Sequence, residues 1–246
     1  MKLVHHQLTS PGDREINQDC MAYRIGRDFA VFVVADGLGG HYAGEKASRF
    51  FCHGLIKNTQ AFADLMRGKP AATMSLWTDA AVEEMRQLSA HDPEALQAHT
   101  TCAILYLDKT CVLTAHCGDS RVYRLNPQGV VWRTRDHSVL QGLLEEGKIT
   151  EAEMGGHPEQ NCLLRSINVA KGHEVEINVY PAPQAGETFV LCSDGFWENV
   201  KAQELVQLAQ PQTELDDLGK IARLSLLRAS GKSDNITVQW VRCLAT

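Results

Sequence analysis

The run Phe29-Ala30-Val31-Phe32-Val33-Val34-Ala35, followed at once by Asp36-Gly37, is the longest uninterrupted apolar stretch in the chain. It reads as a strand that is apolar throughout. Working outward, Cys20 to Ile25 reads as a second strand and Gly26-Arg27-Asp28 as the turn between them. If the two pair as a hairpin, the register sets Asp19 across from Asp36 at the open edge. Two carboxylates then meet at one rim.

The same device recurs along the chain. Thr101 to Leu107, a turn at Asp108-Lys109-Thr110, and Cys111 to Cys117 form a second predicted hairpin, with Thr100 and Asp119 at its open end. Arg121 to Leu125 and Val130 to Arg135, joined by Asn126-Pro127-Gln128-Gly129, form a third, bounded by Asp136-His137-Ser138. Thr188 to Ser193 runs into Asp194-Gly195, and Ile236 to Cys243 runs out of Asp234-Asn235. Antiparallel pairing would bring Asp194 and Asp234 to the same rim. Ala43 to Ile56, Ala71 to Leu88, Ala202 to Leu208 and Leu215 to Arg228 carry apolar residues at helical spacing and should cover the sheets.

The chain of 246 residues carries 24 Lys+Arg against 30 Asp+Glu, a formal net charge of −6. That is not the footprint of a nucleic-acid binder. With 44% hydrophobic and 22% charged residues the composition is that of an ordinary globular protein, which excludes disorder, collagen and coiled coil. The longest apolar run falls far short of a membrane span, and the first residues show no apolar core of a secretory signal. The expectation is a cytoplasmic protein with no membrane association. No repeat or Pro/Gly/Ser-rich linker marks a boundary, so residues 1–246 read as one domain, with a flap-like excursion at about 147–173. The eight cysteines, mostly inside apolar runs, read as free thiols, and Cys111, His116 and Cys117 have no second cluster to complete a zinc site.

Asp19, Asp36, Asp119, Asp194 and Asp234 are thus predicted to converge. Crowded carboxylates disfavour each other's ionisation, so cations must be present. All-oxygen ligands suit hard ions, which favours Mn²⁺ or Mg²⁺ over zinc. In Asp36-Gly37 and Asp194-Gly195 the missing Cβ lets the backbone approach a metal and offer a carbonyl. Arg14 lies five residues before Asp19 and could grip a phosphate with two parallel hydrogen bonds. Other signals fail: Gly231-Lys232-Ser233 lacks the upstream glycine of a phosphate loop, and no Gly-x-Ser-x-Gly or His-Glu-x-x-His occurs.

Taken in order, Arg14 with Asn17-Gln18-Asp19, Asp36-Gly37-Leu38-Gly39-Gly40-His41, Thr100-Thr101, Gly118-Asp119-Ser120-Arg121, Asp136-His137-Ser138, Ser193-Asp194-Gly195 and Ser233-Asp234-Asn235 span nearly the whole chain. This set resembles the metal-dependent protein serine/threonine phosphatases of type 2C, the PPM family, in its stand-alone bacterial form. The resemblance implies an α+β fold: a four-layer α-β-β-α sandwich, two antiparallel sheets flanked by helices. It implies a core site of two Mn²⁺ or Mg²⁺ ions bridged by Asp36, with the Gly37 carbonyl, Asp194 and Asp234 as further ligands. Asp119, with Asp194, would form a weaker third site. Asp19 would stand one layer further out, acting through water, and Arg14 would clamp the phosphate. A hydroxide shared by the metals would attack phosphoserine or phosphothreonine directly, with no phosphoenzyme. Leu38 occupies the position of a proposed acidic His in some animal relatives; His41 is a nearby candidate for that role or for orienting the loop. His99 replaces the glycine usual before the Thr pair. The implied partners are phosphoprotein substrates and a Hanks-type serine/threonine kinase, the implied state a monomer, and Asp194-Gly195-Phe196-Trp197-Glu198 is similar to members that serve type VI secretion. A catalytically silent phosphoprotein binder, or a hydrolase of another phosphoester such as a nucleotide, stays open on the residues alone.

Overall fold

The structure, a computed structural model, describes residues 2–38 and 43–244. In chain order the elements are β1 (Leu3–Ser10), β2 (Asp19–Ile25), β3 (Phe29–Leu38), α1 (Ala43–Lys57), α2 (Thr59–Leu65), α3 (Pro70–Ser89), α4 (Pro93–Gln97), β4 (His99–Thr100), β5 (Cys102–Asp108) and β6 (Cys111–Cys117). There follow β7 (Arg121–Asn126), β8 (Gly129–Arg133), α5 (Val139–Glu145), α6 (Glu151–Met154), β9 (Glu176–Pro181), β10 (Thr188–Cys192), α7 (Asp194–Trp197), α8 (Ala202–Gln207), α9 (Leu215–Ala229) and β11 (Ile236–Cys243).

The strands form two antiparallel sheets. One runs β1-β11-β10-β7-β8, the other β2-β3-β5-β6-β9, with β4 paired to the end of β3. The deciding stretch now has its physical explanation. Along β3, Val31, Val33 and Ala35 pack under the helices, while Ala30, Phe32 and Val34 pack against the opposite sheet. Both faces of the strand are dry, so the usual alternation of apolar and polar residues is absent. β5 divides in the same way: Cys102, Ile104 and Tyr106 face the helices, and Ala103, Leu105 and Leu107 face the sheet.

On the β3 side the covering layer is α1 and α3, whose Phe51, Leu55, Met74, Trp77 and Met85 are buried at helical spacing. Trp77 ties the two helices by donating its Nε1–H to the Leu55 carbonyl at 2.8 Å. On the other side Phe196, Leu205, Leu218 and Ile221 from α7, α8 and α9 cover Val190, Val238 and Trp240. The architecture is therefore α-β-β-α, as expected.

Three pairings build one rim. Asp19 lies opposite Asp36 in the β2–β3 ladder, the register read from the sequence. Cys102 lies opposite Cys117, which sends Gly118-Asp119 out beside Thr100-Thr101. Cys192 pairs with Val238 and Ser10 with Ile236, so Asp194, Asp234 and the loop carrying Arg14 leave the second sheet at the same end. The segment at 147–173 is tied down by bridges from Leu163 to Ser138 and from Ile167 to Thr100, with Met154 and Ile167 fully buried.

Candidate metal centre

At the rim, hydrogen bonds fix the Asp36 backbone before any ligand arrives. The Asp36 N–H donates to Thr101 Oγ1 at 3.0 Å. Its carbonyl accepts from the Thr101 N–H at 2.8 Å and from Thr100 Oγ1 at 2.9 Å. The Thr pair is thus the clamp that holds the end of β3. Gly37 is required by close approach: a Cβ there would fall 2.0 Å from the Gly44 carbonyl oxygen in the first turn of α1. At Gly195 a Cβ would fall 2.2 Å from the Asn235 carbonyl oxygen, where α7 meets the start of β11. These two glycines let neighbouring backbones pack at the site, a reason that stands beside access to a metal.

The side chains show the same economy. Asp19 Oδ2 accepts from Ser193 Oγ at 2.7 Å, while its Oδ1 is buried with no hydrogen-bond partner. One oxygen each of Asp194 and Asp234 accepts the N–H of the following residue, Gly195 and Asn235, at 2.7 Å. The other oxygen of Asp234 meets the Arg14 guanidinium at 2.8 Å, in place of the neighbouring Asp13 or Glu15 that a surface arginine would use. Asn235 holds the Arg14 loop: its Oδ1 accepts the Gln18 N–H at 2.8 Å, and its Nδ2 donates to the carbonyls of Pro11 and Ile16 at 2.9 Å.

Together Arg14, Asp36, Gly37, Asp119, Asp194 and Asp234 line a cavity of about 490 Å³, with Asn161 and Leu163 of the flap on its wall. Burial, then the mutual repulsion of the acids, pushes Asp19 up to about 8 and Asp194 up to about 6. Asp36 and Asp119 are held well above the usual carboxylate range for the same reasons. Glu198, one helical turn after Asp194, is pushed up to about 9 by burial and by Asp194, Asp119 and Asp234. Its spacing from Asp194 was legible in the sequence, but nothing there showed that the turn would bury it beside the other acids.

Acids in this state are stabilised by divalent cations, which replace the missing positive charge. The donor set is oxygen throughout, and the partnerless Asp19 Oδ1 is a buried acceptor awaiting a donor such as an ordered water. The residues fit hard divalent ions. Among the described residues no three of these carboxylates bring ligand oxygens within 4.8 Å of one another. His41 lies outside the described residues. Leu38 lines the cavity, and His99 meets Ser166 Oγ at 2.8 Å.

A buried ion pair supports the centre from behind. Arg121 donates to both oxygens of Asp136 at 2.9 and 2.6 Å, and to Tyr123 Oη and Glu151. Its guanidinium lies 3.5 Å from the ring centre of Trp197, whose Nε1–H donates to the Asp119 carbonyl at 3.0 Å. The motif residues Arg121 and Asp136 are therefore supports for Asp119 and α7. One expectation is corrected here: His116 does have a cluster, because the fold brings His137 and Glu176 to it with ligand atoms within 4.8 Å of one another.

Comparison with known proteins identifies the family. The sequence profile of the family described as Protein phosphatase 2C matches residues 12–215. The serine/threonine phosphatase stp of Listeria monocytogenes is 30% identical over 212 residues, covering 85% of this chain and 82% of that protein. The crystal structure of the Mycobacterium tuberculosis serine/threonine phosphatase PstP superposes with a TM-score of 0.81 at 26% identity, over 99% of each chain. A structure of the PstP catalytic domain in complex with two manganese ions superposes with a TM-score of 0.78 at 24% identity, over 99% of each chain. With the profile spanning most of the chain, the chain belongs to the protein phosphatase 2C family.

Proposed function

We propose that this chain is a metal-dependent protein phosphatase that hydrolyses phosphoserine and phosphothreonine. The observation that carries this reading is the rim itself: carboxylates from both sheets, with Asp119 and Asp194 buried and Asp36 half-buried, each raised by burial and by its acidic neighbours, facing one cavity beside an exposed arginine. Asp36, the Gly37 carbonyl, Asp194 and Asp234 would hold two Mn²⁺ or Mg²⁺ ions, with Asp119 and Asp194 offering a third position. When bound, such ions supply a nucleophilic water at neutral pH and neutralise the charge of the transferring phosphoryl group. Arg14 would turn from Asp234 to the phosphate, offering two parallel N–H donors to its oxygens. Asp19, braced by Ser193, would orient water at the edge of the centre. The flap residues Asn161 and Leu163 would contact the peptide around the phosphorylated residue.

The proposal extends to a single catalytic domain over residues 1–246, acting as a monomer in the cytoplasm on phosphoproteins made by a serine/threonine kinase. Its Asp194–Glu198 segment supports a place in type VI secretion signalling. No helix among the described residues is long and apolar enough to cross a membrane. Hydrolysis of phosphoserine and phosphothreonine peptides, measured with EDTA and with added Mn²⁺, tests the reading. Turnover should require the metal. A folded protein that binds Mn²⁺ and phosphopeptide but releases no phosphate would overturn it.

A further inference from the structure

We propose that His116, His137 and Glu176 form a second metal site, suited to a borderline transition ion such as Zn²⁺ and separate from the all-oxygen centre. His116 and Glu176 are directly opposed in the β6–β9 ladder and so share a face. His137, from the segment after β8, stacks its ring on His116 with centroids 4.6 Å apart. The candidate ligand atoms of all three lie within 4.8 Å of one another.

The hydrogen bonding leaves the His116 ligand atom free, while His137 Nε2 and Glu176 Oε2 now meet each other, a contact that an ion between them would replace. The His116 Nε2–H donates to the Arg135 carbonyl at 2.7 Å, which makes Nδ1 the nitrogen with the lone pair. That Nδ1 is buried and has no hydrogen-bond partner, although His116 is fully enclosed. A backbone carbonyl on one ring nitrogen and a metal on the other is the usual way a ligating histidine is oriented. His137 Nε2 lies 3.3 Å from Glu176 Oε2, and its Nδ1 lies 3.3 Å from the Gly118 nitrogen. Both are long for hydrogen bonds. Binding at Nε2 moves the single proton of the neutral ring to Nδ1 and gives up the weak contact from Gly118.

The charges around the group are balanced. Arg165 and Arg135 oppose a cation, but Arg165 is paired with Glu174 and Arg135 with Glu145. Asp136 is occupied by Arg121, and Glu176 also accepts from Asn178. Burial pushes both histidines below their usual range, so they are neutral at physiological pH, the form that ligates. Two imidazoles and a carboxylate favour Zn²⁺ over Mg²⁺ or Mn²⁺ and leave one position open. Glu176, with its side chain 37% exposed, gives an entry path from solvent. The ion would join β6, β9 and the 134–138 segment, where the His137 carbonyl also accepts the Leu164 N–H of the flap at 2.8 Å.

The test is calorimetric titration of the intact chain with Zn²⁺ in excess Mg²⁺, which fills oxygen sites but competes poorly for imidazole. Co²⁺ titration followed by visible absorption reports the ligand type. One Zn²⁺ per chain should bind, persist in Asp36→Asn, and give Co²⁺ bands of low-symmetry nitrogen ligation. Glu176→Gln, at a partly exposed position that folding tolerates, should weaken Zn²⁺ by more than the roughly 10–100-fold that a lost outer partner costs; His137→Ala should do the same. Unchanged Zn²⁺ affinity in folded Glu176→Gln, or Zn²⁺ uptake that disappears with Asp36→Asn, would overturn the proposal.

Discussion

Asp36 and Arg14 show how differently two charged residues are treated at this site. The Asp36 backbone is held by both threonines, and its side chain faces other acids; Arg14 is 59% exposed and held by a single pairing to Asp234. Replacing Asp36 or Asp194 by Asn removes ligand charge with little change of volume. Turnover should fall to a few per cent of wild type or less, with unchanged circular dichroism. Asp194→Asn should also raise the melting temperature of the metal-free protein at pH 8, because Asp194, at about 6, is ionised there and repels its neighbours. Retained activity would remove either residue from the ligand set. On the proposed phosphate-binding role, Arg14→Ala should raise KM more than it lowers kcat, because the nucleophile would stay in place. Steady-state kinetics on a phosphopeptide separates the two effects.

At the scale of elements, short contacts between neighbours keep the acids in place. Arg121 is buried between β7, α6 and α7, with its side chain 2% exposed and that of Asp136 1% exposed. Arg121→Ala takes from buried Asp136 its two-pronged partner, leaving only the longer contact to Arg133 at 3.5 Å, and removes the face on which Trp197 lies. Breaking such a pair typically costs about 3–5 kcal/mol. Urea unfolding should show a loss of that size, with turnover falling as Asp119 and α7 lose their support. A loss below ~1 kcal/mol would show that the pair is a surface-like contact. Elements differed in how legible they were. β3 and β5 stood out because both faces are dry. β1 and β9 are edge strands with mixed polar and apolar residues, and no pattern announced them; only pairing with β11 and β6 makes them strands. The short α2 and α4 were missed because a turn or two of helix gives too little periodicity to read.

For the whole molecule, the acidic rim couples folding, pH and metal. Asp19 moves from 3.8 to about 8, Asp194 from 3.8 to about 6, and Glu198 from 4.5 to about 9. A carboxylate raised on folding contributes stability that is fully present below its unfolded value and lost as pH climbs through its folded value. Burial lowers His5, His99, His116 and His137, which opposes this trend below their usual value of 6.5, so the metal-free protein should lose melting temperature between about pH 6.5 and pH 9, where Asp19 and Glu198 titrate. Carboxylates held low by arginine, such as Glu145 at about 2, act below that window. Added Mn²⁺ should raise the melting temperature most at the alkaline end and flatten the slope, by binding only the folded state. Differential scanning fluorimetry across this range, in EDTA and in Mn²⁺, checks the sign. A metal-free protein that grows more stable toward pH 9 would contradict the convergence of these acids.

The hairpins, the opposition of Asp19 and Asp36, the oxygen-only donor set of the rim and the family motifs were written in the local pattern of the chain. These follow from local rules: turn residues set strand pairing, and pairing sets register. Packing in three dimensions set which acids are buried together and so ionise with difficulty, brought Glu198 to them, made Arg121 a buried support, and gave His116 its neighbours His137 and Glu176. Those facts depend on burial and on contacts between residues far apart in the chain, where the dielectric environment and the partner of each charge are set by packing that no local pattern encodes.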